Sequence, residues 1–87
     1  MTRIRLSDNV VYRSFGSETV LLNLDTGHYH GLRGAGGRML ELLSETGDLD
    51  QTARRVADEF GRPLDEVTRD LNELCDGLRE RQLVEVQ

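Results

Sequence analysis

Few side chains in this sequence could do acid–base, metal-binding or thiolate chemistry, and the main candidates are His28, Tyr29, His30 and Cys75. His28 and His30 are two positions apart, so a strand would place both imidazoles on one face, a geometry that can hold a metal ion. No cysteine or carboxylate cluster with ligand spacing accompanies them, and two imidazoles alone do not complete a site. Cys75 lies among leucines at helical spacing and is predicted to be a small buried hydrophobe. We therefore expect no metal, no cofactor and no catalysis by this chain alone.

Size and charge exclude further kinds of chemistry. The 87-residue chain has 16 Asp and Glu residues against 11 basic ones, a formal net charge of −5, and every basic residue is an arginine. Without lysine there is no Schiff-base lysine and no P-loop lysine. The acidic balance also disfavours nucleic-acid phosphate as a partner. A chain of this length is predicted to form one domain over residues 1–87, too small for a deep catalytic cavity.

The sequence predicts a cytoplasmic protein that does not cross a membrane. Its longest apolar run is far below the ~20 residues that a membrane-spanning helix needs. The basic amino terminus reaches Ser7-Asp8-Asn9 before a signal-peptide core could form. Cys75 has no partner for an internal disulfide, which fits a reducing compartment.

The first third of the chain is predicted to be strand. β-branched and aromatic residues dominate its beginning, and a later stretch alternates Val20, Leu22 and Leu24 on one face. Turn residues separate these runs at 16–17 and 25–27. The pattern predicts a three-stranded antiparallel meander with strands at residues 10–15, 19–24 and 28–32, and a candidate leading strand at 3–6.

The rest of the chain is predicted to form three helices. The first follows a glycine-rich stretch, residues 34–37, which predicts a tight contact between helix and sheet, and it ends at Gly47. Asp48 is the predicted N-cap of the second helix. Pro63 separates that helix from a third one, which is predicted to run to about Arg81.

Apolar residues at spacings of three and four predict which faces of the later helices are buried. The core stripe of the second helix comprises Leu49, Ala53, Val56, Ala57 and Phe60. That of the third comprises Leu64, Val67, Leu71, Leu74, Cys75 and Leu78. With residues 83–86 as a candidate wing, the predicted fold class is α+β: a winged helix-turn-helix with an N-terminal three-stranded antiparallel sheet followed by three helices.

Because a winged helix-turn-helix is typical of DNA-binding proteins, the charge of the third helix matters. From Arg62 to Arg81 there are four arginines against six acidic residues, a local net charge of −2. Specific DNA binders neutralise several phosphates with Lys and Arg, and an acidic recognition helix would be repelled. A winged-helix DNA-binding regulator is therefore a disfavoured alternative, and nucleic acid is not an expected partner.

The sequence predicts a free sheet edge, and such an edge can bind an extended peptide. A three-stranded meander cannot close into a barrel, so an edge keeps unpaired N–H and C=O groups. If residues 28–32 form that edge beside the third helix, an extended peptide can pair with the strand while its side chains enter the groove next to the helix. A covered or simply solvated edge is the alternative.

Four pieces of the sequence, in this order and spacing, resemble the PqqD-like proteins, also called RiPP recognition elements. They are VLLNLDTG at 20–27, YHGL at 29–32, MLELL at 39–43 and LRERQLV at 78–84. Within that family, the chain is most similar to the small stand-alone proteins of lasso-peptide biosynthesis. The resemblance covers nearly the whole chain and implies a non-catalytic winged-helix fold that binds the leader region of a ribosomally made precursor peptide.

The resemblance also implies where the leader binds. In the family, the leader adds an antiparallel strand to the third strand of the meander and lies in a cleft against the third helix. Strand contacts then fall on Tyr29, His30, Gly31 and Leu32. Helix contacts fall on the exposed members of Val67, Asp70, Leu71, Glu73 and Leu74. Of these, Asp70 and Glu73 either pair with basic leader residues or belong to a solvated face.

The partners implied by the resemblance are the leader of the precursor peptide, a separate cysteine-protease-type leader peptidase, and a macrocyclase downstream. Two alternatives remain at this point. One is a recognition module that serves another peptide-modifying enzyme, such as a radical-SAM partner. The other is a general protein–protein adaptor without a leader ligand.

Overall fold

A computed structural model describes residues 3–86, in which five strands and three helices follow one another. The strands are β1 (Ile4–Leu6), β2 (Val10–Phe15), β3 (Glu18–Asn23), β4 (Tyr29–Arg33) and β5 (Val84–Val86). The helices are α1 (Ala35–Thr46), α2 (Leu49–Phe60) and α3 (Leu64–Glu80). The predicted α+β class, a three-stranded meander followed by three helices, is confirmed.

The main sheet is antiparallel with the order β2-β3-β4. Its buried face carries Leu21, which is fully buried in the middle of β3. The alternation of apolar residues singles out the face with Val20 and Leu22. That face is the opposite one, and it is only half-buried. Leu24 lies beyond the end of β3 and is 60% exposed.

Thr19 and Asn23 are polar residues on the buried face of β3. They can be buried there because their polar atoms form hydrogen bonds. The hydroxyl oxygens of Thr19 and Ser14 are 3.1 Å apart. Asn23 Oδ1 accepts hydrogen bonds from the backbone N–H groups of Asp25 (2.9 Å) and Thr26 (3.2 Å) and so shapes the turn after β3. A pattern of hydrophobic residues alone therefore selects the wrong face of this strand.

The candidate leading strand and the extended tail pair with each other. β1 and β5 form a two-stranded antiparallel sheet in which Ile4 lies opposite Val86. Just after β1, the Ser7 N–H donates to the Leu83 carbonyl (3.0 Å) and the Ser7 hydroxyl donates to the Gln82 carbonyl (3.1 Å). This small sheet is the wing, and it is attached to the turn that follows α3.

The glycine-rich start of α1 makes the predicted tight contact with the sheet. A Cβ atom added to Gly37 would lie 2.5 Å from Thr19 Oγ1, a separation that real Cβ atoms do not show. At the other end of α1, Gly47 adopts φ 67° and its N–H donates to the Leu43 carbonyl (2.7 Å), the left-handed cap that glycine favours.

The predicted boundaries of the later helices agree with the structure to about one residue. Asp48 caps α2, since its side chain accepts a hydrogen bond from the Gln51 N–H (3.2 Å). Helix α3 ends at Glu80 rather than at Arg81. Past this end Gln82 adopts φ 61°, and the Leu83 N–H donates back to the Leu78 carbonyl (2.9 Å), which closes the last turn.

The core lies between the buried face of the main sheet and the three helices. Its fully buried large apolar side chains are Leu21, Leu40, Leu42, Leu43, Val56, Val67, Leu71 and Leu78. Two residues predicted for the core stripes lie instead at the surface: Phe60 is 44% exposed and Leu64 is 41% exposed. Phe60 is the last residue of α2 and Leu64 is the first residue of α3. No helix within residues 3–86 has the length and apolarity needed to span a membrane.

Candidate functional site

Strand β4 is an edge of the main sheet. Within residues 3–86 it has β3 as its neighbour on one side and no strand on the other. At its start the Asn23 N–H donates to the His28 carbonyl (2.9 Å), and just past its end the Gly34 N–H donates to the Ser17 carbonyl (3.1 Å). In an antiparallel pair the inward and outward bonding positions alternate. The even-numbered residues of β4 therefore direct their backbone groups towards β3.

The odd-numbered residues of β4 direct their N–H and C=O groups to the free edge. They are Tyr29, Gly31 and Arg33. These outward groups form a row with the spacing that a further antiparallel strand requires. Gly31 lies in the middle of the row and adds no side chain to it.

The side chains of β4 are divided between the two faces of the sheet. Leu32, only 8% exposed, packs in the core, and the half-buried His30 shares its face, in register with Leu21. Tyr29 points to the opposite face and is 76% exposed. The predicted strand residues thus fall into two groups: Tyr29 and Gly31 present backbone groups at the edge, whereas His30 and Leu32 face the helices.

A cavity of about 250 Å³ separates the beginning of β4 from the end of α3, and we refer to it as the groove. Its lining residues are Asn23, Thr26, His28, Tyr29, His30, Glu80, Arg81, Gln82 and Leu83. It combines aromatic and aliphatic surface with imidazole, guanidinium and carboxylate groups. The groove is thus contiguous with the free edge of β4.

His30 and Arg81 face each other across the groove. Partial burial lowers the pKa of His30 below its ordinary value of 6.5, and the positive charge of Arg81 lowers it further. His30 is therefore a neutral imidazole at pH 7, able to donate one hydrogen bond and accept another. Arg81 supplies the cationic group at this end of α3.

Helix α3 has a buried side, which consists of Val67, Leu71, Cys75 and Leu78. Val67 is 0% exposed and Leu71 is 1% exposed, so neither side chain offers surface to a ligand in this structure. The family resemblance includes both residues among the helix contacts only where they are exposed, whereas apolar periodicity predicts both for the core stripe of the third helix. The structure assigns them to the core.

The adjoining side of α3, which we call the open side, consists of Asp70, Leu74, Gly77 and Arg81 at helical spacings of four, three and four. Leu74 is half-buried and packs against the edge of the core. Asp70 is already bound, since its Oδ2 lies 2.6 Å from a guanidinium nitrogen of Arg62. Glu73 is exposed next to this side. Because rows at these spacings run along one helix face, the open side extends from the groove at Arg81 along α3.

Arg33, Glu80, Arg81 and Gln82 are potential contact residues that sequence reasoning missed. Arg33 belongs to the row of outward backbone groups, and the other three line the groove. The one sequence signal for the groove residues is their position at the end of a helix that precedes an extended tail. Their proximity to β4 depends on how α3 packs, which local sequence does not specify.

Within residues 3–86 the cysteine thiol is buried, and the side chains form no metal-binding cluster. Cys75 is buried, and burial together with the neighbouring Asp76 raises the pKa of its thiol to about 11, so it stays protonated at pH 7. No group of three or more His, Cys, Asp or Glu side chains in the described part of the chain has the geometry of a metal site. The geometric feature available to a ligand is the free edge of β4 beside the groove.

Comparison with known proteins identifies relatives of the chain. A family model for coenzyme PQQ synthesis protein D (PqqD) matches residues 18–84. A solved structure of TbiB1 in complex with the TbiA(beta) leader peptide is 33% identical to this chain, covers 93% of it and 94% of its own length, and superposes with a TM-score of 0.86. A lasso peptide synthetase B1 complexed with the leader peptide is 19% identical, covers 95% and 98%, and has the same fold with a TM-score of 0.85. No curated protein sequence matches this chain.

The α+β fold and these matches define the class of the chain, a PqqD-like RiPP recognition element. The family match extends over most of the chain and includes β3, β4 and all three helices. The chain belongs to the PqqD family.

Proposed function

We propose that this chain binds the leader region of a ribosomally synthesised lasso-peptide precursor. The leader adds as an antiparallel strand to the free edge of β4 and lies in the groove against α3. The observation that carries the proposal is the unpaired edge of β4 beside the groove, in a chain 33% identical to a protein solved with a leader peptide.

Backbone pairing fixes the direction and register of the leader. The outward N–H and C=O groups of Tyr29, Gly31 and Arg33 bind the leader backbone, and alternate leader side chains then point towards His30 and the groove. On the other side of the leader, Leu74 and Arg81 of the open side of α3 provide contacts, with Glu73 and Asp70 at the rim. Val67, Leu71 and Leu32 support this surface from beneath.

Magnitudes indicate that side-chain contacts, rather than backbone pairing, set the affinity. Four or five strand hydrogen bonds contribute a net of about 1 kcal/mol each. Ordering a disordered leader costs about 2–5 kcal/mol, which nearly cancels that gain. Each apolar leader side chain buried in the groove adds about 1.5–3 kcal/mol. Sequence selectivity therefore resides in the groove next to α3.

In this proposal the protein acts by binding alone, as a recognition element and not as a catalyst. It presents the leader to a separate cysteine-protease-type leader peptidase and to a macrocyclase downstream.

A titration tests the proposal directly. The full chain is titrated with two fluorescently labelled probes: the leader peptide encoded beside its own gene, and the TbiA(beta) leader that its structural relative binds. We expect saturable binding of at least one of them, and none of a scrambled peptide of the same composition. Amide hydrogen exchange should slow at Tyr29, Gly31 and Arg33 on binding, because their outward N–H groups become paired. If neither leader binds, the proposal is wrong.

A second candidate is recognition of a leader for another modifying enzyme, such as a radical-SAM partner. The match to a family model described by coenzyme PQQ synthesis favours keeping it. It uses the same edge and groove, so it differs only in the peptide bound and the enzyme served. Co-purification of the chain with a radical-SAM enzyme, and not with a leader peptidase, would select this candidate.

A further inference from the structure

Gly77 is a glycine that the fold itself does not require. It lies in the last turn of α3, a 17-residue helix, and glycine is the poorest helix former after proline. Its φ is not among the positive values found at other glycines of residues 3–86, so the backbone conformation is open to any residue. A Cβ atom added at this position would meet no atom within 4 Å.

Other glycines of the chain have a clear reason for lacking a side chain. Gly37 lies against Thr19, where a Cβ atom would clash, and Gly47 and Gly61 cap helices in the left-handed region. Neither reason applies to Gly77. The missing side chain instead leaves space on the surface of α3 that no described residue fills.

That space lies on the open side of the helix. The Gly77 carbonyl accepts a hydrogen bond from the Arg81 N–H (3.3 Å), so Gly77 stands one helical turn before the residue that faces His30. Leu74 precedes it by three residues on the same side. Gly77 therefore lies between a half-buried apolar contact and the cationic end of the groove.

We infer that Gly77 determines the size of the peptide side chain accepted beside α3: its missing side chain makes room for a large apolar residue of the bound peptide, branched or aromatic. The inference rests on the proposed function and adds to it a residue that sets specificity. A leader paired with β4 sends alternate side chains towards α3. The leader side chain next to Gly77 then approaches the backbone of α3 more closely than it could if residue 77 had a side chain.

Substitutions at Gly77 are expected to change stability and affinity in opposite directions. Gly77→Ala replaces a poor helix former, so the folded chain becomes more stable, by ~5-fold in the unfolding equilibrium. The same methyl group fills part of the space, and affinity for whichever of the two leader probes binds the wild-type chain is expected to fall ~5-fold. Gly77→Leu fills the space and is expected to lower affinity by at least ~30-fold, with an unchanged circular dichroism spectrum.

Asn72→Ala is the matched control, since Asn72 is exposed elsewhere on α3. It also improves helix propensity, and we expect higher stability with unchanged affinity. In a second experiment, each apolar residue of the leader is replaced in turn by alanine. One such peptide is expected to bind Gly77→Leu as well as or better than the full leader does, because its smaller side chain no longer clashes.

Wild-type affinity in Gly77→Leu would overturn the inference and leave the proposed function intact. Weaker binding in Gly77→Leu that no alanine peptide relieves would also overturn it, since the loss would then not come from size. Failure of both leaders to bind the wild-type chain is a separate result, and it would remove the proposed function and this inference together.

Discussion

The buried side and the open side of α3 lie along the same helix, and some of their residues are neighbours in sequence. They differ in what they contact. The buried side, with Leu71 at its centre, contacts the core shared by the sheet and the other helices. The open side, with Leu74 at its centre, packs only against the edge of that core and continues to Arg81 at the groove. Both sides carry a leucine at helical spacing, so the residue type does not distinguish them.

The contrast indicates that stability and the proposed peptide recognition depend on different residues of α3. A residue on the buried side contributes to the stability of the folded chain whether or not a ligand is bound. A residue on the open side has few contacts within the chain and is available for contacts with a peptide. Substitutions on the two sides are therefore expected to change different measured quantities.

The largest effect is expected from Leu71→Ala. Removing a fully buried leucine side chain costs about 2–5 kcal/mol, because the transfer free energy is lost and a cavity remains. A domain of this kind has a total stability of about 5–15 kcal/mol, so the loss is a large share of it. Urea unfolding monitored by circular dichroism measures the change. Leu64→Ala is the control, and if this change at an exposed leucine destabilises the chain equally, the two-sided description of α3 is wrong.

Leu74→Asp is expected to act mainly on binding. It replaces an apolar contact of about 1.5–3 kcal/mol with a charge that a bound peptide would have to desolvate, so leader affinity should fall at least ~10-fold. The measurement is the leader titration, with urea unfolding of the same variant to confirm that it is folded. Asn72→Asp adds the same charge to another part of α3. Equal affinities for the two variants would contradict the assignment of Leu74 to the peptide surface.

A smaller effect is expected at Asp70. Its carboxylate lies 2.6 Å from Arg62, and Glu66 holds the same guanidinium at 2.9 Å, with the side chains of all three 30–45% exposed. Exposed pairs contribute about 0.2–1 kcal/mol, so Asp70→Asn should lower the free energy of unfolding by no more than that. Because Asp70 is engaged by Arg62, its loss should weaken leader binding less than Glu73→Gln does. The reverse order of affinities would show that Asp70 contacts the leader.

The smallest effect is expected from protonation of His30. Burial and Arg81 lower its pKa in the folded chain, so the unfolded chain binds the proton first as pH falls through about 6.5. The free energy of unfolding therefore decreases from pH 7 downwards, until the folded chain is protonated as well. Urea midpoints at pH 7.5 and 5.5 should differ more for the wild-type chain than for His30→Gln. In Arg81→Gln, an NMR titration should place the pKa of His30 closer to its ordinary value.

Much of the fold could be predicted from the sequence, because its elements have strong local signals. Turn residues separate the strands, Asp48 caps α2, and Pro63 marks the boundary before α3. The buried face of β3 could not be predicted, since Thr19 and Asn23 are buried through hydrogen bonds that a hydrophobicity pattern does not detect. The pairing of β1 with β5 joins segments about eighty positions apart, and three-residue strands are too short to signal it.

Less of the candidate site could be predicted. The free edge at residues 28–32 follows from the meander, but the roles of its residues follow from register: the backbone groups of Gly31 point outwards and those of His30 point towards β3. The separation of Leu71 from Leu74 depends on which neighbours pack against α3. The approach of Arg81 to His30 depends on the angle at which α3 meets the sheet, and no local pattern encodes that angle.

The attachment of β1 to the turn after α3 makes the beginning of the chain a remote support for the groove. Ser7 holds the carbonyl groups of Gln82 and Leu83, and both of those residues line the cavity. Removing residues 3–7 would release this turn and β5 together, and Arg81 would lose the fixed position from which it faces His30. A truncation far from β4 in sequence is thus expected to weaken the proposed peptide binding, although it removes none of the proposed contact residues.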